Sequence, residues 1–309
     1  MYSRRMMGEP MELRTLRSFL AVAREGNVTR AARQLHITQP ALSRQLADLE
    51  REMGCELLIR EPRGVTLTEE GMLLRKRADE IVSLADRTER ELRSPASEVE
   101  GDVWVGGGES RAMELVAQVA TRLEHEHPGI RLHLHSGNGT DVTERIERGL
   151  LDFGVIFGAN VDDRHEALLL PHEDRWGVLM RRDHSLASRG HVSLEELRGE
   201  RLIASGESGE IAGYNPTMAE RLASEGYDVA ATYTLLYNGS LLVEAGMGIA
   251  LCFEDIVAAG EGTPFAYVPL EDMPTVPARL IWKRYQPHSR ACELLLRAMR
   301  EACEPDARG

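Results

Sequence analysis

Apolar residues near the start of the chain recur at Leu13, Leu16, Phe19, Leu20 and Ala23, the spacing of one helix face. Gly26 and Asn27 interrupt the pattern and can cap a second helix from Val28 to Leu35, whose Ala31 and Ala32 let another helix cross closely. After the short turn His36-Ile37-Thr38, Thr38 is placed as an N-cap and Pro40 falls in the first helical turn, where a missing N–H costs nothing. The third helix carries an apolar stripe of Leu42, Leu46, Leu49 and Met53, spaced by four, three and four. Pro40, Ser43, Arg44, Ala47 and Arg51 must then face away from it, giving a small, basic outer side. Beyond Gly54, the run from Leu57 to Leu67 reads as two short extended pieces around a Pro62-Arg63-Gly64 turn.

Thr68, Glu69 and Glu70 open a long, polar-rich helix to about Arg93, in which Leu74, Ala78, Ile81, Ala85, Thr88 and Leu92 alternate spacings of four and three. So narrow a seam suits a partner helix from a second copy, and a helix packed on its own chain is the alternative. Ser94-Pro95-Ala96-Ser97 reads as a linker. The rhythm then changes: a strand from Asp102 to Gly106, a helix from Met113 to His125, a strand from Ile130 to His135, a helix to Leu150, and a strand from Asp152 to Phe157. Alternating strands and helices predict a parallel, open α/β sheet, which takes ligands at the C-terminal ends of its strands. By that rule Glu109, Ser110, Ser136 and Asn138 line a cleft, joined from a later segment by Ser205 and Asn238. Ser, Asn and Gly also favour turns whatever the function, so a plain turn role is the competing expectation for each.

Helix, short turn, helix is the arrangement that lays its second helix in the major groove, and Gln39, Ser43 and Arg44 supply donors and acceptors for base edges. Arg60 and Arg63 on the extended pieces would reach the backbone or minor groove. The net charge of −13 opposes binding to a polyanion, but it is unevenly distributed. Residues 1–77 carry 14 basic against 10 acidic side chains, and residues 78–309 carry 23 against 40. A basic head on an acidic body implies that the head alone meets nucleic acid.

The stretch from MELRTLRSFLAVAREGNVTRAARQLHITQPALSRQLADLEREMG to RGVTLTEEG resembles the head of a LysR-type transcriptional regulator, most specifically in AARQLHITQPALSRQLADLE. The resemblance continues through GVLMRRDHSLA, VSLEELRGERLIA, LLVEAGMGIALC and ARLIWKRYQPHSRACELLLRAMREA, and so covers Met11 to about Cys303. Asn27 stands where that family usually has a serine or similar cap, and it caps as well. The resemblance implies DNA contacts from Thr38, Gln39, Pro40, Ser43 and Arg44 on the recognition helix and from Arg60 and Arg63 on the wing. It also implies an α/β multidomain fold: an N-terminal all-α winged helix-turn-helix (11–67), a dimerising linker helix with its linker (68–97), and an effector-binding domain (98–309). That domain would comprise two Rossmann-like lobes of the periplasmic-binding-protein type, lobe I at 98–164 and 268–303 and lobe II at 165–267, with a small-molecule effector between them. The implied partners are double-stranded DNA bearing an interrupted inverted repeat, the effector, and further copies of the chain as a dimer or tetramer.

Other chemistry is thinly supported. Gly106, Gly107 and Gly108 fall short of a dinucleotide fingerprint because Arg111 stands where a glycine is needed, and Glu210 spoils a nucleophile elbow around Ser208. His125, His127, His133 and His135 lie close together but lack a completing carboxylate or thiol for a metal. Asp162, Asp163, Glu173 and Asp174 read as solvated loop charges. A solute-binding protein and an α/β enzyme are the rival classes, and no cofactor is expected. Cys55, Cys252, Cys292 and Cys303 show no CxxC spacing, MYSRRMMGEP has no secretory core, and no apolar run is long enough to span a bilayer. Reduced thiols, a cytoplasmic location and a functional start at Met11 are the corresponding expectations.

Overall fold

The computed structural model describes residues 12–61, 64–93, 100–158, 161–206 and 218–304, and within them every side chain but those at 87 and 90–93. Pro62 and Arg63, residues 94–97, Ser208, Glu210, Met11 and the Leu92 side chain lie outside that description. The chain divides into two compact units, residues 1–93 and 94–309.

The first unit contains α1 (Leu13–Glu25), α2 (Val28–Gln34), α3 (Gln39–Met53), β1 (Leu58–Glu61), β2 (Gly64–Leu67) and α4 (Glu69–Arg93). Gly26 closes α1 in the left-handed conformation, and the Asn27 side chain caps α2 by accepting from Arg30 N–H at 3.0 Å. Leu16, Phe19, Val22, Ala31, Ala32, Leu42, Leu46 and Leu49 form the core together with Leu57, Leu58, Ala78 and Val82. The buried face of α1 is broader than its leucine spacing predicts: Ser18, Ala21 and Val22 are buried, whereas Leu13 is exposed. The cause is enclosure, since α2, α3 and α4 all pack on α1. Met53, predicted in the α3 stripe, is exposed because the helix ends there at Gly54.

Helix α4 begins where Thr68 indicates, with Gly71 N–H donating to Thr68 Oγ1 at 2.9 Å. Its heptad seam divides between two faces. Ala78 is buried in the head core and Leu74 packs against it, with Arg17 of α1 bonded to Asp86, so this half of the seam lies against its own chain. Ile81 faces outward and shares an exposed stripe with Leu73 and Leu84. Spacing alone does not say whose helix covers which stripe.

The second unit has two five-stranded sheets. The first contains β3 (Glu100–Gly107), β4 (Gly129–Ser136), β5 (Phe153–Phe157), β6 (His165–Asp174) and β12 (Val276–Lys283), ordered β4-β3-β5-β12-β6. Helices α5 (Met113–Glu126), α6 (Gly139–Glu147) and α9 (Arg290–Cys303) flank it. The second contains β7 (Trp176–Arg181), β8 (Arg201–Ser205), β9 (Asp228–Tyr233), β10 (Ile249–Phe253) and β11 (Phe265–Pro269), ordered β11-β7-β10-β8-β9, with α7 (Met218–Ser224) and α8 (Leu236–Glu244). Both sheets are mixed: β3 runs parallel to β4 and β5, but β12 runs antiparallel to β5 and β6, and β7 is antiparallel to β10 and β11.

These pairings correct the expected parallel sheet and move both lobe boundaries. Residues 165–174 belong to lobe I, because β6 pairs with β12 there, and residues 268 and 269 belong to β11 of lobe II. The chain therefore crosses between lobes at Arg175 and again between Pro269 and Val276. Gly106 and Gly107 are packing glycines: a Cβ would meet Leu151 Cδ1 at 2.5 Å in one case and Met113 Sδ at 2.8 Å in the other. Among the described residues no helix is long and apolar enough to cross a membrane.

Candidate functional site

The outer side of α3 is built from the turn before it. Thr38 Oγ1 accepts from Ala41 N–H at 3.4 Å, Pro40 occupies the first turn, and Gln39 Nε2 donates to Ser43 Oγ at 2.8 Å. Thr38, Gln39, Pro40 and Arg44 are exposed and Ser43 is half-buried, so these five present one surface at the start of the helix, polar except for Pro40. Arg44 has no carboxylate partner among the described residues, leaving its guanidinium free for an external acceptor. Behind this face, buried Ser18 donates to Gln45 Oε1 at 3.1 Å and pins α3 to α1. The hairpin β1–β2 carries Arg60, exposed and paired in register with Val65. It is fastened twice: Glu50 Oε1 accepts from the N–H groups of Leu57 and Leu58 at 2.9 and 3.1 Å, and Val65 N–H donates to Gly26 O at 2.8 Å.

In the second unit the predicted cleft residues fall at C-terminal strand ends of both lobes, but they play different parts. Glu109 and Ser110 follow β3, and Ser136 ends β4 next to it, with Gly137 N–H donating to Gly107 O at 3.1 Å. Asn138 caps α6 through Asp141 N–H at 2.7 Å. In lobe II, Ser205 ends β8 and Asn238 lies exposed in the first turn of α8. The structure brings Glu109 onto this same turn, since its Oε2 accepts from Leu236 N–H. Ser110 turns inward: its hydroxyl donates to Asp174 Oδ2 at 2.6 Å and accepts from Ala112 N–H at 2.9 Å.

Asp174 corrects a sequence expectation. Far from being a solvated loop charge, it is fully buried at the end of β6, where it also lies 3.3 Å from His172 Nε2. Burial pushes its carboxyl above the ordinary range, against the opposing hydrogen bonds from Ser110 and His172. Four residues that meet between the lobes were missed by sequence reasoning. Phe157 of lobe I meets Phe253 of lobe II edge to face at 5.7 Å, and Arg111 reaches Asp255 at 3.8 Å. Phe157 and Phe253 each close a strand that reads as core, so only their position at the strand's C-terminal end could have singled them out. Of the histidines, His133 bonds Asp102 at 2.9 Å while stacking on Trp104, and His135 bonds Asp141 at 2.5 Å.

Residues 13–72 match the family described as "Bacterial regulatory helix-turn-helix protein, lysR family", and residues 96–304 match the "LysR substrate binding domain". Curated relatives include the uncharacterized HTH-type transcriptional regulator YfeR of Shigella flexneri, 26% identical over 293 residues that cover 94% of this chain and 93% of that protein. Another is the HTH-type transcriptional regulator CysL of Bacillus subtilis (strain 168), 27% identical over 245 residues, covering 78% of this chain and 80% of the relative. Among solved structures, CbnR, a LysR family transcriptional regulator, shares the fold with a TM-score of 0.73 at 22% identity, covering 96% of this chain and 100% of that one. Full-length CbnR complexed with its target DNA gives 0.71 at 21%, covering 94% and 100%. A winged three-helix head and a two-lobed body, each matched over nearly its whole length, make this chain a member of the LysR family of bacterial transcriptional regulators, DNA-binding at its head and effector-binding in its body.

Proposed function

We propose that the chain reads duplex DNA through Thr38, Gln39, Pro40, Ser43 and Arg44 of α3, with Arg60 and Arg63 of the wing on the backbone or minor groove, and that it does so as a symmetric dimer in the cytoplasm. The observation that carries this reading is the outer face of α3: exposed, polar, basic and held rigid by a capped turn over a leucine core. The exposed stripe of Leu73, Ile81 and Leu84 supports the dimer, because it suits the same helix of a second copy. CbnR is described in complex with its target DNA, which supports duplex DNA as the partner here.

In the body, an effector lodged between the lobes near Glu109, Ser110, Ser136, Asn138, Ser205 and Asn238 biases the two lobe crossings toward one lobe angle, and it regulates only through differential affinity for the two. The test is enrichment of a duplex from a random-sequence pool, followed by titration against a scrambled duplex at several salt concentrations. The reading expects an inverted repeat with a spacer and a salt-sensitive preference of about 1000-fold or more. Equal affinity for both duplexes would end it.

A further inference from the structure

Glu109 makes a contact that a cleft-lining residue awaiting a ligand does not ordinarily make. From the loop after β3 in lobe I, its Oε2 accepts from the N–H of Leu236, the first residue of α8 in lobe II. Helix α8 brings no side-chain cap of its own, since Leu235 precedes it. The half-buried Glu109 carboxylate therefore fills the position where unpaired N–H groups and the helix dipole would otherwise hold an anion. The Phe157–Phe253 contact and the Arg111–Asp255 pair span the same gap, so three independent contacts define this lobe arrangement. The nearby cation, Arg111, is already engaged, by Glu114 at 2.7 Å and by Asp255 at 3.8 Å.

We propose that Glu109 is the charge filter of the effector cleft: a resident anion on α8, so that the group an effector places there is cationic or neutral and a carboxylate is turned away. The proposal rests on the reading of the body as effector-binding. A ligand carboxylate must displace an anion tethered at high effective concentration. An ammonium group instead adds to what is already there, because the Leu236 N–H engages Oε2 and Oε1 is a second acceptor on the same carboxylate. Glu109 is thus a specificity-determining residue whose contact also holds the lobes together.

The experiment uses the full chain as wild type, Glu109→Ala and Glu109→Gln, melted in acetate, ethylammonium chloride or sodium chloride at matched ionic strength. Removing the carboxylate should let acetate occupy the α8 terminus, so acetate raises the Tm of Glu109→Ala saturably, at concentrations about tenfold below any effect on wild type. Ethylammonium should stabilise wild type above Glu109→Gln, a comparison that stands even if the alanine variant fails to fold. Identical acetate responses in wild type and Glu109→Ala, or ethylammonium responses that ignore Glu109, would overturn the filter. Failure of these probes in a protein that binds small metabolites sinks the filter alone, whereas acetate recovery in a protein that binds no metabolite sinks the effector reading and the filter with it.

Discussion

Replacing Arg44 with Ala separates reading of bases from general attraction to DNA. Arg44 is exposed on α3 and has no carboxylate partner among the described residues, so the free protein loses no ion pair. Arg and Ala differ by only about 0.2 kcal/mol in helix propensity, which moves the head's melting temperature by roughly 1 °C. On DNA the balance is different. A guanidinium on a guanine edge contributes about 1 to 3 kcal/mol of discrimination per helix. A symmetric dimer places two such helices on its site, so the loss doubles to about 2 to 6 kcal/mol, a fall in affinity from roughly 30-fold to beyond 10,000-fold. Fluorescence anisotropy on the enriched and scrambled duplexes at three salt concentrations reads this directly. The loss should be confined to the enriched duplex, with the salt slope unchanged. An equal loss on both, with a shallower slope, would make Arg44 a phosphate contact and refute base reading by this face.

Two further substitutions test the architecture. Gly71→Ala places a Cβ 2.1 Å from the Leu57 carbonyl oxygen, which cannot retreat because it accepts Thr68 N–H at 3.1 Å; urea unfolding should show the head destabilised by about 3 kcal/mol, and wild-type stability would contradict the close approach of α4 to the wing. Asp174→Asn tests burial of that carboxyl: because its folded value is raised, the native body retains a proton that the unfolded chain releases from about pH 4 upward, so wild type loses stability relative to the variant as pH climbs through this window. Calorimetry from pH 4 to 8 that instead showed wild type gaining on Asp174→Asn would reverse the assignment.

Local chemistry was legible in the chain wherever one segment decides its own structure. Thr38, Pro40 and the leucines of α3 announce the start and inner face of that helix, and Thr68 announces α4. What was not legible depends on which surfaces meet. The His165–Asp174 segment, HEALLLPHED, shows no clean alternation, and its place in the first sheet follows from pairing with β12, more than a hundred residues later. Leu74 and Ala78 satisfy a coiled-coil spacing but are claimed by the head core. Strand-end logic put Glu109, Ser110, Ser136, Asn138 and Ser205 beside C-terminal strand ends, and chain order could not say that Ser110 would bond a buried Asp174 while Glu109 crossed to α8.

The double grip of Glu50 on Leu57 and Leu58 has a mechanical meaning. One carboxylate on the last turns of α3 holds the root of the hairpin, so the two parts of the head that would touch DNA are welded into a single tool. Neither can swing without carrying the other along. Adjustment to differently spaced half-sites must therefore come from tilting whole heads, and a repressing or activating signal would arrive as torque on a rigid body instead of as the bending of a finger.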